Sequence, residues 1–392
     1  MGILRLYLAL CVVAEHGNGQ ILPWTMLQGE QAVQIFYVIS GFYMALVLST
    51  RYSKARDFYV SRFLRIFPTY WVILLGTVVV SLAGGLLFNR WLMLSRYVSH
   101  PLAHNGLSGV SLAALFNLTI IGQDWIMFFK QDPGQSLQVT LKFWTFPNPL
   151  YWYLLLPQAW TLAVELTFYA IAPYLNRLRS SWLIGLTIGA LVLRFICYQY
   201  LGTATVPWTY RFFPLQIGFF LCGMLAYRLY VRMSPHPSLQ RWRSTSWRSY
   251  IVGCAILLAF LYLHARAFEF LKSVASEHVA GLVTSPVFIL AIPILFLAFE
   301  KHKFDRLTGE MSYPVYLVHF LVLVVIGSAL GIQPGVALAR AAALASIILA
   351  AILYAVFIVR IDIRRHRLRT KNSPIDGDEK QSGPDFQKVS SP

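Results

Sequence analysis

The sequence predicts an all-α polytopic membrane protein with about ten transmembrane helices and both termini in the cytoplasm. Three observations predict it. Hydrophobic residues make up 57% of the 392 residues and charged residues only 12%, whereas a soluble domain is about 45–50% apolar and about a quarter charged. Apolar runs near the length that crosses a bilayer, about 20 residues each, recur along the chain between clusters of charge, Gly and Pro. The loops between those runs carry Lys and Arg unequally, alternating along the chain as the positive-inside rule demands. The net charge of +17, from 33 Lys and Arg against 16 Asp and Glu, therefore does not point to nucleic acid, because too little polar surface remains to present a basic face.

The runs fall at 4–22, 31–50, 67–88, 152–175, 182–201, 209–229, 249–265, 279–299, 309–330 and 336–359. Ten crossings place both ends on one side. That side collects 23 Lys and Arg, the other six, and four lie inside spans, so the basic side is expected to be cytoplasmic. Residues 1–360 read as one membrane domain and 361–392 as a basic, then polar tail whose composition predicts disorder. In the outer stretch 89–150, the apolar segment from Gly109 to Gly122 is short for a crossing and is expected to be re-entrant or interfacial; if it and the run near Leu150 both crossed, the count would be twelve with the same orientation. Met1 to Ala14 imitates a secretory signal peptide, and Leu6 stands where a myristoylation signal needs Ser or Thr. Cys11, Cys197, Cys222 and Cys254 lie in apolar stretches without CxxC spacing, which argues against disulfides and a zinc site.

A charged or titratable residue inside a span is costly unless paired or hydrated, so each is a candidate for function. Arg5 and His16 are eleven residues apart, three helical turns plus about 20°, which sets them on one face about 16 Å apart. The plainer reading is an anchoring Arg and a His bonded between helices. Arg62 and Arg65, at i and i+3, share a face near the cytoplasm. Two guanidinium groups suit a polyphosphate, although ordinary positive-inside charge or lipid headgroup contact explains them too. Pro68 is expected to open the third span behind them. Glu165, in the fourth run, orients an imidazole or bonds a sugar hydroxyl, or else makes an ion pair with Arg194 or Arg211. Ser312, Tyr316 and His319, at i, i+4 and i+7, form one polar stripe, either a site or interhelical glue. Ser40 and Gly41 read as close packing of the second helix.

Together these segments form a recognisable set. Arg5 with His16 (R-x10-H), Phe36 to Phe42 (FYVISGF), Arg62 with Arg65 followed by IFPTYW, Trp160 to Tyr169 (WTLxxExxFY), and Gly309 to His319 (GxxSYPxYLxH) resemble, in that order, the motifs of membrane acyltransferase family 3. This is the family of the O-antigen, exopolysaccharide and nodulation-factor O-acetyltransferases. The resemblance covers nearly the whole chain except the tail. It implies about ten helices that move an acyl group, usually acetyl from cytoplasmic acetyl-CoA, onto a hydroxyl of a glycan or lipid-linked sugar. It also implies that Arg5 and His16 belong to the active site, that Arg62 and Arg65 lie near the coenzyme phosphates, and that Glu165 and the stripe of Ser312, Tyr316 and His319 complete the pocket, with no metal. Cleavage of a signal peptide is then excluded, since it would delete Arg5.

Three departures stand out. Ser61 replaces an Arg common in relatives, only four residues precede Arg5, and no hydrolase-like domain is appended, so transfer is expected within the membrane bundle.

The expected setting is the inner (plasma) membrane, with acyl-CoA, a glycan or lipid-linked sugar and membrane lipids as partners. In such a site His16 acts as general base or takes the acyl group itself. Arg5 offsets coenzyme charge, and Tyr316 or Ser312 donates to the developing oxyanion. The rival reading is a transporter or flippase for a lipid-linked sugar, since intramembrane charges also mark substrate pathways; no internal repeat supports it.

Overall fold

The computed structural model describes residues 1–52, 54–99, 106–131, 136–140, 149–201, 207–236, 246–275 and 277–363. Each predicted apolar run contains a helix. The long elements are α1 (Gly2–His16), α2 (Gly29–Thr50) and α3 (Ala55–Phe88), then, after the short α4 (Ser95–Ser99) and α5 (Gly106–Thr119), α6 (Trp160–Arg177) and α7 (Ser180–Leu201). The single turn α8 (Trp208–Arg211) leads into α9 (Phe213–Met233), followed by α10 (Trp247–Val274), α11 (Glu277–Phe299), α12 (Lys303–Leu330) and α13 (Val336–Leu353). Among the described residues, seven helices are long and apolar enough to cross a membrane: α2, α3, α7, α9, α10, α12, and α13 with its continuation to Ile363. Helices α1, α6 and α11 stand at the other three expected places. Most of the predicted tail, from residue 364 onward, lies outside the described residues.

Several boundaries differ from the sequence expectation. Helix α3 starts at Ala55 and runs through Pro68 instead of opening there, so Arg62 and Arg65 lie on the helix itself. Pro68 lacks the N–H that would bond Leu64 O, and the helix runs on without it; close by, the Tyr313 hydroxyl donates to Ile66 O at 2.9 Å. Helix α1 stops at His16, well short of residue 22, because the chain turns at Gly17 and at Asn18 (φ 53°). Gly17 lies against α13, where a Cβ would come within 2.9 Å of Ala339. The fourth helix begins at Trp160, after 3-10 turns at Leu150–Tyr153 and Pro157–Ala159. The segment expected to dip into the membrane is the 14-residue α5, about 21 Å long and too short to span the hydrocarbon core.

The bundle divides into inner and outer helices. Helix α2 crosses α9 at a contact so close that a Cβ on Gly41 would lie 2.0 Å from Phe220 O, and one on Gly223 2.0 Å from Val38 O. These two glycines admit backbone against backbone, as small residues do in membrane helices. Around them Tyr37 stacks on Phe220 (4.6 Å) and Phe168 on Phe220 (4.3 Å). Helix α1 packs along α12, and Asp305 at the start of α12 accepts from the N–H groups of Gly2 (2.6 Å) and Ile3 (3.0 Å), capping otherwise orphaned donors. The outer helices instead present apolar faces. Leu344, Ile348, Ile352 and Val356, spaced four apart, are 62%, 52%, 54% and 62% exposed, a stripe that only lipid would cover.

A separate small core, built around Ile126, Leu150 and Tyr153, caps the end of the bundle where α6 begins. Its backbone is tied by Asn117, whose Nδ2 donates to Tyr153 O (2.9 Å) while its Oδ1 accepts from Leu155 N (2.9 Å). Tyr70 of α3 donates to Asn117 O at 2.6 Å, which fastens the cap to the bundle.

Candidate active site

Two long-separated helices meet at a pair of histidines. His16 ends α1 and His319 lies within α12, 303 residues later, yet His16 Nδ1 is 3.0 Å from His319 Nε2 and the rings stack at 5.1 Å. His319 is fully buried, whereas His16 is exposed. His319 Nδ1 lies 2.6 Å from Tyr316 O. A carbonyl only accepts, so Nδ1 of His319 carries the proton and its Nε2 is an acceptor. His16 Nδ1 must then donate to that acceptor, which leaves Nε2 as the lone-pair nitrogen of the His16 ring. The backbone of α12 thus sets the tautomer of both rings.

Below this pair a cavity of about 670 Å³ opens between α1, α2, α3, α6 and α12. Arg5, Arg62, Arg65, Glu165, Ser312 and Tyr316 all line it, so six of the eight predicted site residues share one space. His16 and His319 do not line it. Tyr316 closes its inner end: the Tyr316 hydroxyl lies 2.9 Å from Thr161 Oγ1 and donates to Gln158 O at 3.0 Å, and its ring centre is 5.8 Å from that of His319. The predicted stripe is real as geometry, with one member on each side of that partition.

The remaining predicted residues take distinct places. Glu165 accepts from the Ser40 hydroxyl at 2.6 Å and from Tyr169. It forms no ion pair with Arg194, which instead meets Glu30 at 3.4 Å, or with Arg211, whose guanidinium lies over Trp160 at 4.9 Å. Arg65 pairs with Glu310 at 3.3 Å. Arg62 is only 5% exposed, its guanidinium held between the rings of Phe58 (5.8 Å) and Tyr169 (5.9 Å). Ser61 is buried and accepts from the Tyr52 hydroxyl at 2.7 Å. The Ser312 hydroxyl is spent on Gly309 O at 2.7 Å.

Sequence reasoning passed over Ser40 and Tyr169, reading the first as packing. Tyr169 sits one turn after Glu165, a spacing that sets them together on α6. Nothing in the local sequence of α2 distinguishes Ser40 from a packing serine.

Paired imidazoles beside a charged cavity are an arrangement that can hold or move a proton. Comparison with known proteins agrees: a family described as an acyltransferase domain matches residues 3–356. The chain belongs to that acyltransferase family. It is also 25% identical over 347 residues to the peptidoglycan O-acetyltransferase OatA of Listeria monocytogenes, and 25% identical over 347 residues to the putative peptidoglycan O-acetyltransferase YrhL of Bacillus subtilis. In both cases the match covers 82% of this chain and 48% of the relative, so the chain spans about half the length of the curated relatives it matches. No solved structure matches the chain.

Proposed function

We propose that this acyltransferase is a multi-pass plasma-membrane O-acetyltransferase that takes an acetyl group from cytoplasmic acetyl-CoA and gives it to a hydroxyl of a glycan or lipid-linked sugar. The observation that carries the reading is the His16–His319 pair lying just beyond Tyr316, the inner end of a charged cavity large enough for a coenzyme arm. The names of the relatives make peptidoglycan the first acceptor to test.

His16 Nε2, with its free lone pair, takes the proton of the acceptor hydroxyl as that oxygen attacks the thioester carbonyl. His319, held by Tyr316 O, keeps His16 in the basic tautomer and accepts from its Nδ1–H while the ring is charged. The carbon–sulfur bond breaks, and His16 returns the proton to the leaving thiolate. The Tyr316 hydroxyl, committed to Gln158 O, holds the partition between thioester and histidines in place and is not free to donate to the developing oxyanion. Arg5 adds positive charge to the cavity wall, which also carries the Arg65–Glu310 pair and Glu165 held by Ser40 and Tyr169.

The protein in liposomes, given acetyl-CoA and soluble peptidoglycan fragments, tests this. Free thiol should appear together with an added acetyl mass on the glycan. Movement of a lipid-linked sugar across the bilayer without thiol release would replace the enzyme with a transporter.

A further inference from the structure

The proposed chemistry gives no work to Arg211, a cation inside a predicted apolar run. Two other arginines in such runs are answered: Arg194 meets Glu30 at 3.4 Å, and Arg340 Nε donates to Ile21 O at 3.1 Å. Arg211 Nε and Nη1 are buried and make no hydrogen bond. Among the described residues no carboxylate comes within 4 Å of this guanidinium; Asp124 acts on it from farther off. A buried donor without an acceptor costs stability, and a charged one costs more.

Packing fixes where those donors lie. The guanidinium rests over Trp160, the first residue of α6, at 4.9 Å, and Tyr210 meets the same ring at 4.6 Å. The outer cap clamps α8 and its exit, with Phe128 against Trp208 at 4.8 Å and Trp125 against Phe212 at 5.5 Å. Thr161, next to Trp160, has its Oγ1 2.9 Å from the Tyr316 hydroxyl, so a single residue links the floor under Arg211 to the partition. The charge of Arg211 acts on His16, Tyr37 and Tyr316, and the buried Tyr37 hydroxyl and Gln158 Oε1 also lack partners.

Sidedness gives the ligand its direction. Arg211 lies where α1 has ended, α6 begins and α9 is about to begin, opposite the end of the bundle where α2 stops and α12 starts. In the topology that loop charge predicts, this is the outer side, from which a surface glycan arrives. A guanidinium with unused N–H groups suits an oxyanion better than a neutral hydroxyl, because a carboxylate or phosphate oxygen accepts from it and balances its charge.

We infer that Arg211 is the anion-binding residue of the acceptor side: it holds a carboxylate or phosphate oxygen of the acceptor, and so keeps the acceptor hydroxyl at His16. The inference rests on the proposed transfer to a glycan or lipid-linked sugar. A carboxylate belongs to the glycan itself and a phosphate to its lipid carrier, and the test separates the two.

Acetyl transfer from acetyl-CoA is measured in liposomes for wild type, Arg211→Gln and Arg211→Lys with two pairs of acceptors. One pair is peptidoglycan fragments with free carboxylates and the same fragments methyl-esterified; the other is a polyprenyl-pyrophosphate-linked disaccharide and that disaccharide freed of its carrier. Wild type should favour the charged member of one pair by about tenfold or more in KM, the scale of a lost charged hydrogen bond. Arg211→Gln should erase that preference by raising the KM of the charged acceptor, with the KM for acetyl-CoA unchanged, and Arg211→Lys should reduce it. Preference within the first pair assigns the anion to the glycan, and within the second to the lipid carrier. Equal KM within both pairs for wild type overturns the site and leaves the enzyme reading intact. So does a preference that persists in Arg211→Gln, or a fall in kcat shared by all acceptors, which is the mark of a merely structural residue. If Arg211→Gln does not fold, Arg211→Lys decides: an undiminished preference overturns the site. No thiol release by wild type with any acceptor overturns the enzyme reading and the site with it.

Discussion

Helices α2 and α7 are each 22 residues long and similarly apolar, yet 67% of the spanning window of α2 is buried inside the protein and only 17% of that of α7. Helix α2 lends Ser40 and Tyr37 to the cavity wall and meets α9 backbone to backbone at Gly41. Helix α7 offers lipid a row of side chains such as Trp182, Ile188 and Phe195, all more than half exposed. In water, burial separates core from surface. In a membrane both environments are apolar, and what separates them is polar content and tolerance of volume. Function therefore concentrates in the helices where a polar residue has protein around it.

That contrast can be broken most severely at the α2–α9 crossing. Gly41→Leu puts a side chain where even a Cβ would lie 2.0 Å from Phe220 O. The expected outcome is loss of the folded protein, read as disappearance of the monodisperse peak in detergent chromatography. Wild-type yield would show that the two backbones do not touch.

Within the cavity the effect should be on stability and rate together. Glu165→Gln keeps the shape but replaces the carboxylate that accepts from Ser40 and Tyr169. A hydrogen bond to a charged group contributes about 1.5–3 kcal/mol to stability, so the melting temperature should fall measurably, and kcat/KM should fall with it as the cavity wall loosens.

The outer cap should respond to pH. Asp124 is 2% exposed, and burial raises its carboxyl from the ordinary 3.8 to about 7. Between those values the folded protein holds a proton that the unfolded chain has released, so stability falls as pH rises through this window. Asp124→Asn should abolish that slope, matching wild type near pH 4 and melting higher than wild type at pH 8.

The smallest effect belongs to the lipid-facing side. A Cβ on Gly185 of α7 meets nothing within 4 Å, so Gly185→Ala should leave activity alone and stabilise by about 0.5–1 kcal/mol through helix propensity, visible as a slightly raised melting temperature.

Much of this contrast was legible in the sequence because polar residues inside apolar runs stand out. The cost of a titratable or charged residue in a span marks Arg5, His16 and Glu165, and helix spacing puts Ser312, Tyr316 and His319 on one stripe. Pairing across the bundle was not legible. No local pattern announces that His16 meets His319, or that Ser40 rather than Arg194 or Arg211 answers Glu165, since those contacts depend on how helices far apart in the chain are placed. Boundaries shifted where a helix ran on through a breaker, as at Pro68, or where a turn ended a helix inside an apolar run, as at His16.

The central claim is that His16 and His319 act as one base at the inner end of the cavity. Its most direct test is acetyl-CoA-dependent acetylation of peptidoglycan fragments by His16→Ala and His319→Ala, each in liposomes, with binding of acetyl-CoA followed in parallel. The account predicts that both variants still bind acetyl-CoA but lose transfer by at least about a hundredfold, the scale of general-base catalysis. Product acetylation at the wild-type rate in either variant would contradict it.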